Sequence, residues 1–184
     1  PGALWQWSMI HTVQSEGIPD LERVVVAIDP AVTNTSDSDE TGIIVVGRAE
    51  GSLFYVLADY SGRYSPDEWA NKAIDAFIIH QADRIIGEVN NGGDMVEHTL
   101  RTVNGTVPYT AVHASRGKRL RAEPIAALYE QEKVFHAPNL ATLESQMVSW
   151  TPETPSSPDR LDALVWGMTD LSQKGRPNVR WITE

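Results

Sequence analysis

Arg23-Val24-Val25-Val26-Ala27-Ile28-Asp29-Pro30 is the stretch that decides how the rest of the chain is read. A continuous β-branched run closed by Asp-Pro reads as a buried strand. Proline cannot donate to the ladder, and it holds the residue before it extended. The strand therefore ends on Asp29, at the rim of a sheet rather than in its core. An aspartate in that place also serves simply to start a turn, so its meaning depends on what else the chain brings to the same edge.

The chain has 184 residues, 41% hydrophobic and 22% charged, which fits one globular domain with a core of its own. It contains no cysteine, so disulfides, thiolate metal ligands and a cysteine nucleophile are excluded. No apolar run approaches the roughly 18 residues of a membrane span, and no signal-peptide pattern opens the chain. The expectation is a soluble intracellular protein with no membrane partner. A net charge of −10 argues against a surface that grips nucleic acid throughout, because phosphate binding draws on Lys and Arg. It leaves room for a local basic site, and for a carboxylate cluster that cations neutralise.

Residues 1–20 hold Trp5, Trp7, Met9 and Ile10 without a clean period and read as a linker or strap with something to lie against. After the strand at 23–29 comes a polar stretch with Asp37, Asp39 and Glu40. Residues 41–47 and 53–59 are two more strands joined as a hairpin, so the first three strands form an antiparallel meander. Ser65-Pro66-Asp67-Glu68 carries a capping box with proline in the first turn, and Trp69, Ala70, Ala73, Ile74, Phe77 and Ile78 follow at helical spacing. A fourth strand at 84–88 ends on Glu88, and Asn90-Asn91-Gly92-Gly93-Asp94 turns into a helix at 95–103. A fifth strand at 108–112 leads into His113-Ala114-Ser115-Arg116-Gly117-Lys118-Arg119-Leu120-Arg121, the only basic cluster, read as a loop before a helix at 122–131. An extended piece at 133–136, helices at 140–150 and 159–172 and a loop between them complete the pattern. The fold class is α/β: a mixed central sheet, with the meander extended by parallel strands through helical crossovers and flanked by helices. The expected organisation is a domain over 21–174 between the strap and a tail at 175–184.

If the fourth strand enters parallel beside the first, Asp29 and Glu88 emerge at one edge. Hard divalent cations such as Mg²⁺ take oxygen ligands and keep several waters, so two or three carboxylates suffice to hold them. Two such ions about 4 Å apart support phosphodiester hydrolysis. A third ligand is expected from the last helix, whose buried stripe is Leu161, Leu164, Val165, Met168 and Leu171. At about 100° per residue Asp162 flanks that stripe, whereas Asp159 lies nearly opposite and suits the helix dipole. Asp162 is therefore the expected ligand and Asp159 the alternative. Arg116, Lys118, Arg119 and Arg121 read either as a solvated loop or as a clamp on the DNA backbone that positions without reading sequence. Asn90, Asn91 and Gly92 read as turn chemistry, or as backing for the ligands, as does Asp39 in its acidic loop. His80, His98, His113 and His136 show no paired metal spacing and read as structural. No Ser-His-Asp context and no Gly-x-Ser-x-Gly elbow is present.

Four stretches carry a resemblance. Val26-Ala27-Ile28-Asp29-Pro30, Gly87-Glu88-Val89-Asn90-Asn91-Gly92-Gly93-Asp94-Met95-Val96, the run from Arg121 to Glu130, and Pro158-Asp159-Arg160-Leu161-Asp162-Ala163-Leu164-Val165-Trp166 resemble, in the family's order, the nuclease domain of tailed-bacteriophage large terminases. The likeness spans roughly residues 4–171. It implies a ribonuclease-H-like fold and a two-metal (Mg²⁺ or Mn²⁺) DNA endonuclease, with Asp29, Glu88 and Asp162 as metal ligands and Asp29 bridging. It also implies double-stranded DNA as substrate, portal and small terminase subunit as partners, and the cytoplasm of the infected host as location. The family's packaging ATPase needs a Gly-x-x-x-x-Gly-Lys-Ser/Thr loop, which this sequence does not contain. Residues 1–20 then read as the remnant of a connection to that domain. The rivals are a Holliday-junction-resolvase-like nuclease and a non-catalytic docking module of the motor. A nucleotide-binding phosphotransferase half of actin-like type lacks its second glycine-rich loop.

Overall fold

Alternation along the first strand sets the layers of the molecule. The computed structural model describes residues 2–31, 40–89, 95–155 and 158–173, and the strand is β1 (Leu21–Asp29). Successive side chains of a strand point to opposite faces. Val25 and Ala27 accordingly enter one core, while Val24, Val26 and Ile28 enter the other. On one side β1 pairs antiparallel with β2 (Gly42–Ala49), which pairs antiparallel with β3 (Leu53–Asp59), completing the expected meander. On its other side β1 pairs in parallel with β4 (Arg84–Glu88), and β4 with β5 (Tyr109–Val112). The piece near 133–136 is a true strand, β6 (Val134–His136), parallel to β3. Three residues carry little local signal, so this pairing is decided by the distant partner. The six-strand order is β5-β4-β1-β2-β3-β6.

One face is covered by α1 (Pro66–Ile79) and α2 (Met95–Val103), which bring Trp69, Ala70, Ala73 and Leu100 to the core of Val26 and Ile28. The capping box of α1 is formed in full between Ser65 and Glu68. The other face carries α3 (Lys118–Glu130), α4 (Ala141–Ser149) and α5 (Asp159–Ser172). Here α3 corrects the sequence reading: it begins at Lys118, so Lys118, Arg119 and Arg121 stand on a helix and not in a loop. Pro124 lies inside α3.

Of the two strap tryptophans only Trp5 is an anchor. It is fully buried, edge-on to Tyr129 with ring centroids 6.2 Å apart, whereas Trp7 is 59% exposed. Further on, the backbone N–H of His136 donates to His11 and that of Val13 to His136, so the strap lines the outer edge of β6. Among the described residues no helix is long and apolar enough to cross a membrane. Asp37, Asp39, Asn90, Asn91, Gly92 and the tail expected at 175–184 lie outside the described residues.

Candidate metal centre

Strand register brings the first two acids together. Ile28 pairs with Gly87 in the parallel ladder, so Asp29 and Glu88 leave the sheet side by side. Parity then decides which face they serve. Asp29 follows Val25 and Ala27, and Glu88 follows Ile86, all in the core shared with α3–α5. Both acids are partly buried and belong to the face on which α5 lies.

The first turn of α5 completes the group. Side chains three apart are neighbours on a helix, and one carboxylate oxygen from each of Asp29, Asp159 and Asp162 lies within 4.8 Å of the others. Helical spacing ranks Asp162 above Asp159 because it measures both against the apolar stripe. At the start of α5 the neighbour is the end of β1, and both side chains reach it. Glu88 lies outside this group of three but is close enough to act on the Asp29 charge.

Gly42 explains how α5 comes so near. It is the register partner of Asp29, on the same face, and a Cβ there would lie 2.1 Å from the Asp159 carbonyl oxygen. The absent side chain is the space that the first turn occupies. Sequence reasoning missed this glycine, and it missed Arg160, which is buried and stands between the two helix acids in sequence. Arg160 Nε donates to Asp59 Oδ2 at 2.9 Å, and its Nη1 pairs with Glu40. An arginine inside an Asp-x-x-Asp turn was the available signal.

Burial first, and then repulsion from Asp162, Asp159 and Glu88, holds the Asp29 carboxyl well above the usual carboxylate range, against the pull of Lys118. Lys118 Nζ donates to Asp162 Oδ2 at 3.1 Å. The rest of the basic cluster divides. The Arg121 guanidinium lies 4.5 Å over the Trp166 ring, Arg119 pairs with Glu123 at 2.6 Å near the surface, and Arg116 is exposed ahead of α3. Two of the histidines have packing partners: Tyr129 and His136 are hydrogen-bonded at 2.6 Å in the core, and Tyr60 and His80 at 2.8 Å.

This donor set suits a hard divalent cation. The three closest groups are all carboxylates, an oxygen-only cage of the kind that Mg²⁺ or Mn²⁺ prefers. Their mutual repulsion is answered in part by the ammonium of Lys118, and an added cation would relieve it further.

A family model described as a terminase RNaseH-like domain matches residues 26–171. The large terminase nuclease of thermophilic phage G20c with bound magnesium superposes with a TM-score of 0.66 at 11% identity, over 91% of this chain and 97% of that one. The same nuclease also matches in forms with bound zinc and bound cobalt. A large terminase from a second thermophilic bacteriophage, in complex with ADP, gives 0.63 at 10% identity, over 90% of this chain but only 42% of that one. The nuclease domain of the large terminase subunit gp2 of bacterial virus Sf6 gives 0.57 at 15% identity, over 83% and 90%. At these identities the likeness is one of fold, with the mixed sheet and its flanking helices in common. No curated protein sequence matches the chain.

Proposed function

The chain belongs to the terminase RNase H-like domain family, and from that premise we propose that it is a divalent-metal-dependent endonuclease that cuts concatemeric viral DNA during packaging. The observation that carries the proposal is the convergence of Asp29, Asp159 and Asp162 within 4.8 Å. Bound Mg²⁺ or Mn²⁺ would supply Lewis acidity and an activated water for phosphodiester hydrolysis. Asp29, Asp159 and Asp162 would hold a divalent cation between them, and Glu88, beside Asp29 at the sheet edge, would hold a second with it. This assigns Asp159 as a ligand in its own right rather than an alternative to Asp162.

The remaining residues have distinct tasks. Lys118, already on Asp162, balances the acidic charge of the centre. Arg116 and the start of α3 hold the backbone, which gives position without base readout. The terminase solved with ADP is a longer protein, of which the chain spans 42%. We place a nucleotide-driven packaging motor in the remainder of such a protein, with portal and small terminase subunit as partners and the host cytoplasm as the site of action.

The test is nicking of supercoiled plasmid in Mg²⁺ or Mn²⁺, abolished by chelation. Asp29→Ala should remove cleavage with the fold intact by circular dichroism, and Asp159→Asn and Asp162→Asn should each depress it strongly. Cleavage retained in Asp29→Ala sinks the centre, and retention in Asp159→Asn alone returns that residue to a capping role. An inactive wild-type protein with both metals favours the docking reading, and preference for four-way junctions over linear DNA favours the resolvase reading.

A further inference from the structure

We propose that Arg160 is a positioning residue of the metal centre, fixing the first turn of α5 so that Asp159 and Asp162 meet Asp29; the assignment rests on the metal-site reading above. The turn needs outside support. The first N–H groups of a helix have no partners within it, and the N-cap of α5 is Pro158, whose side chain makes no capping bond. A turn without a side-chain cap gains from an anchor elsewhere, and Asp159 and Asp162 both stand on it.

Arg160 supplies the anchor on the side away from β1. Its guanidinium takes Asp59 at the end of β3 and Glu40 just before β2. Asp59 is itself held, since its Oδ1 accepts from the Ser61 N–H at 2.8 Å. Ser61 Oγ in turn accepts from the N–H of Ile43 at 2.8 Å. Ile43 follows Gly42, the residue that α5 lies upon. The clamp thus closes a loop from the ligand-bearing turn through β3 and back to the strand beside Asp29. The β1–β2 connection leaves from Asp29 and returns at Glu40, so both of its ends are tied to this centre. Burying an arginine is costly unless its planar fork is satisfied by well-placed acceptors. Here two carboxylates, one at the end of β3 and one just before β2, satisfy it, with the arginine and Asp59 side chains each 10% exposed. A lysine presents a single point charge and cannot span both partners.

The experiment is Mn²⁺ binding by calorimetry on the 184-residue protein, at a temperature where circular dichroism shows every variant folded. Arg160→Lys should bind Mn²⁺ about tenfold more weakly, the low end of what losing support behind a metal ligand costs. Its cleavage should be restored by raising Mn²⁺, which a purely structural loss would not allow. Glu40→Gln, altering the exposed partner, should weaken binding less and leave the fold unchanged. A folded Arg160→Lys that binds Mn²⁺ as tightly as wild type overturns the assignment. If Arg160→Lys does not fold, wild-type affinity in Glu40→Gln overturns it instead. A wild-type protein that binds no Mn²⁺ overturns the metal-site reading itself and this assignment with it.

Discussion

Gly42→Ala puts the geometry of the centre to its most direct test. The new Cβ would sit 2.1 Å from the Asp159 carbonyl oxygen, 2.5 Å from its carbon and 3.0 Å from the Arg160 nitrogen. All three are backbone atoms, so no rotamer change relieves the clash. Bringing the closest contact to a tolerable distance requires the first turn of α5 to lift by roughly 1 Å, and overpacking of this kind costs about 1–3 kcal/mol. For a domain of this size that is about 3–10 °C in Tm. A displacement of about 1 Å at reacting groups costs about 10²-fold in rate, so cleavage should fall far more than stability does.

Gly167→Ala is the matched control. Its Cβ would meet a methyl of Val46 at 2.8 Å, in the middle of the same helix and on the same sheet. The stability cost should be no larger, since the contact is with a side-chain methyl, and the Asp159–Asp162 turn is not the part that moves. The assay pairs thermal melts with plasmid nicking under saturating Mn²⁺. Equal loss of nicking in the two variants, or near-wild-type nicking in Gly42→Ala, would refute the reasoning that close seating of the first turn builds the site.

Two further outcomes separate roles that sequence alone merges. Arg116→Ala should weaken DNA binding and flatten its dependence on log salt by about one, the counterion count of one phosphate contact; Lys118→Ala and Arg119→Ala, whose cations are paired with Asp162 and Glu123, should do less, and Arg121→Ala should act on stability by about 0.5–2 kcal/mol through its stacking on Trp166. Affinity that ignores these changes at every salt concentration assigns the turn to a protein partner. In the strap, Trp5→Ala should cost about 3–5 kcal/mol, as loss of a buried indole does, while Trp7→Ala stays within about 0.5 kcal/mol; equal shifts in Tm would mean that the strap is not anchored through Trp5.

What the sequence made legible was whatever short-range chemistry decides. The Val24–Ile28 run, the capping box at Ser65 and the strand ending on Glu88 each specify their element from neighbours a few residues away, and all three stand as read. That Asp29 and Glu88 leave the sheet at one edge followed from topology, because a crossover helix makes the two strands parallel and strand ends then coincide. Other features depend on contacts about 100 residues or more along the chain. Gly42 looks like any strand glycine until α5 lies on it. Arg160 looks like a surface arginine until Asp59 and Glu40 arrive. Asp159 is ranked by the stripe of its own helix, although the surface it meets belongs to β1.

The start of α3 bears on the one bulk property that spoke against DNA. A chain of net charge −10 must gather its favourable charge locally. Placing Lys118 on the first turn of a helix, rather than in a solvated loop, brings one ammonium to 3.1 Å from Asp162. Arg121 is drawn onto Trp166, and Arg119 is occupied by Glu123. The basic cluster therefore contributes less to a general DNA grip than its four charges suggest, and more to the acidic centre itself. DNA affinity in this protein should then depend on cations neutralising the carboxylates, because the acids outnumber the ammonium set against them. On the proposed function, binding and cutting would be linked through one site, and DNA affinity should be low without divalent metal.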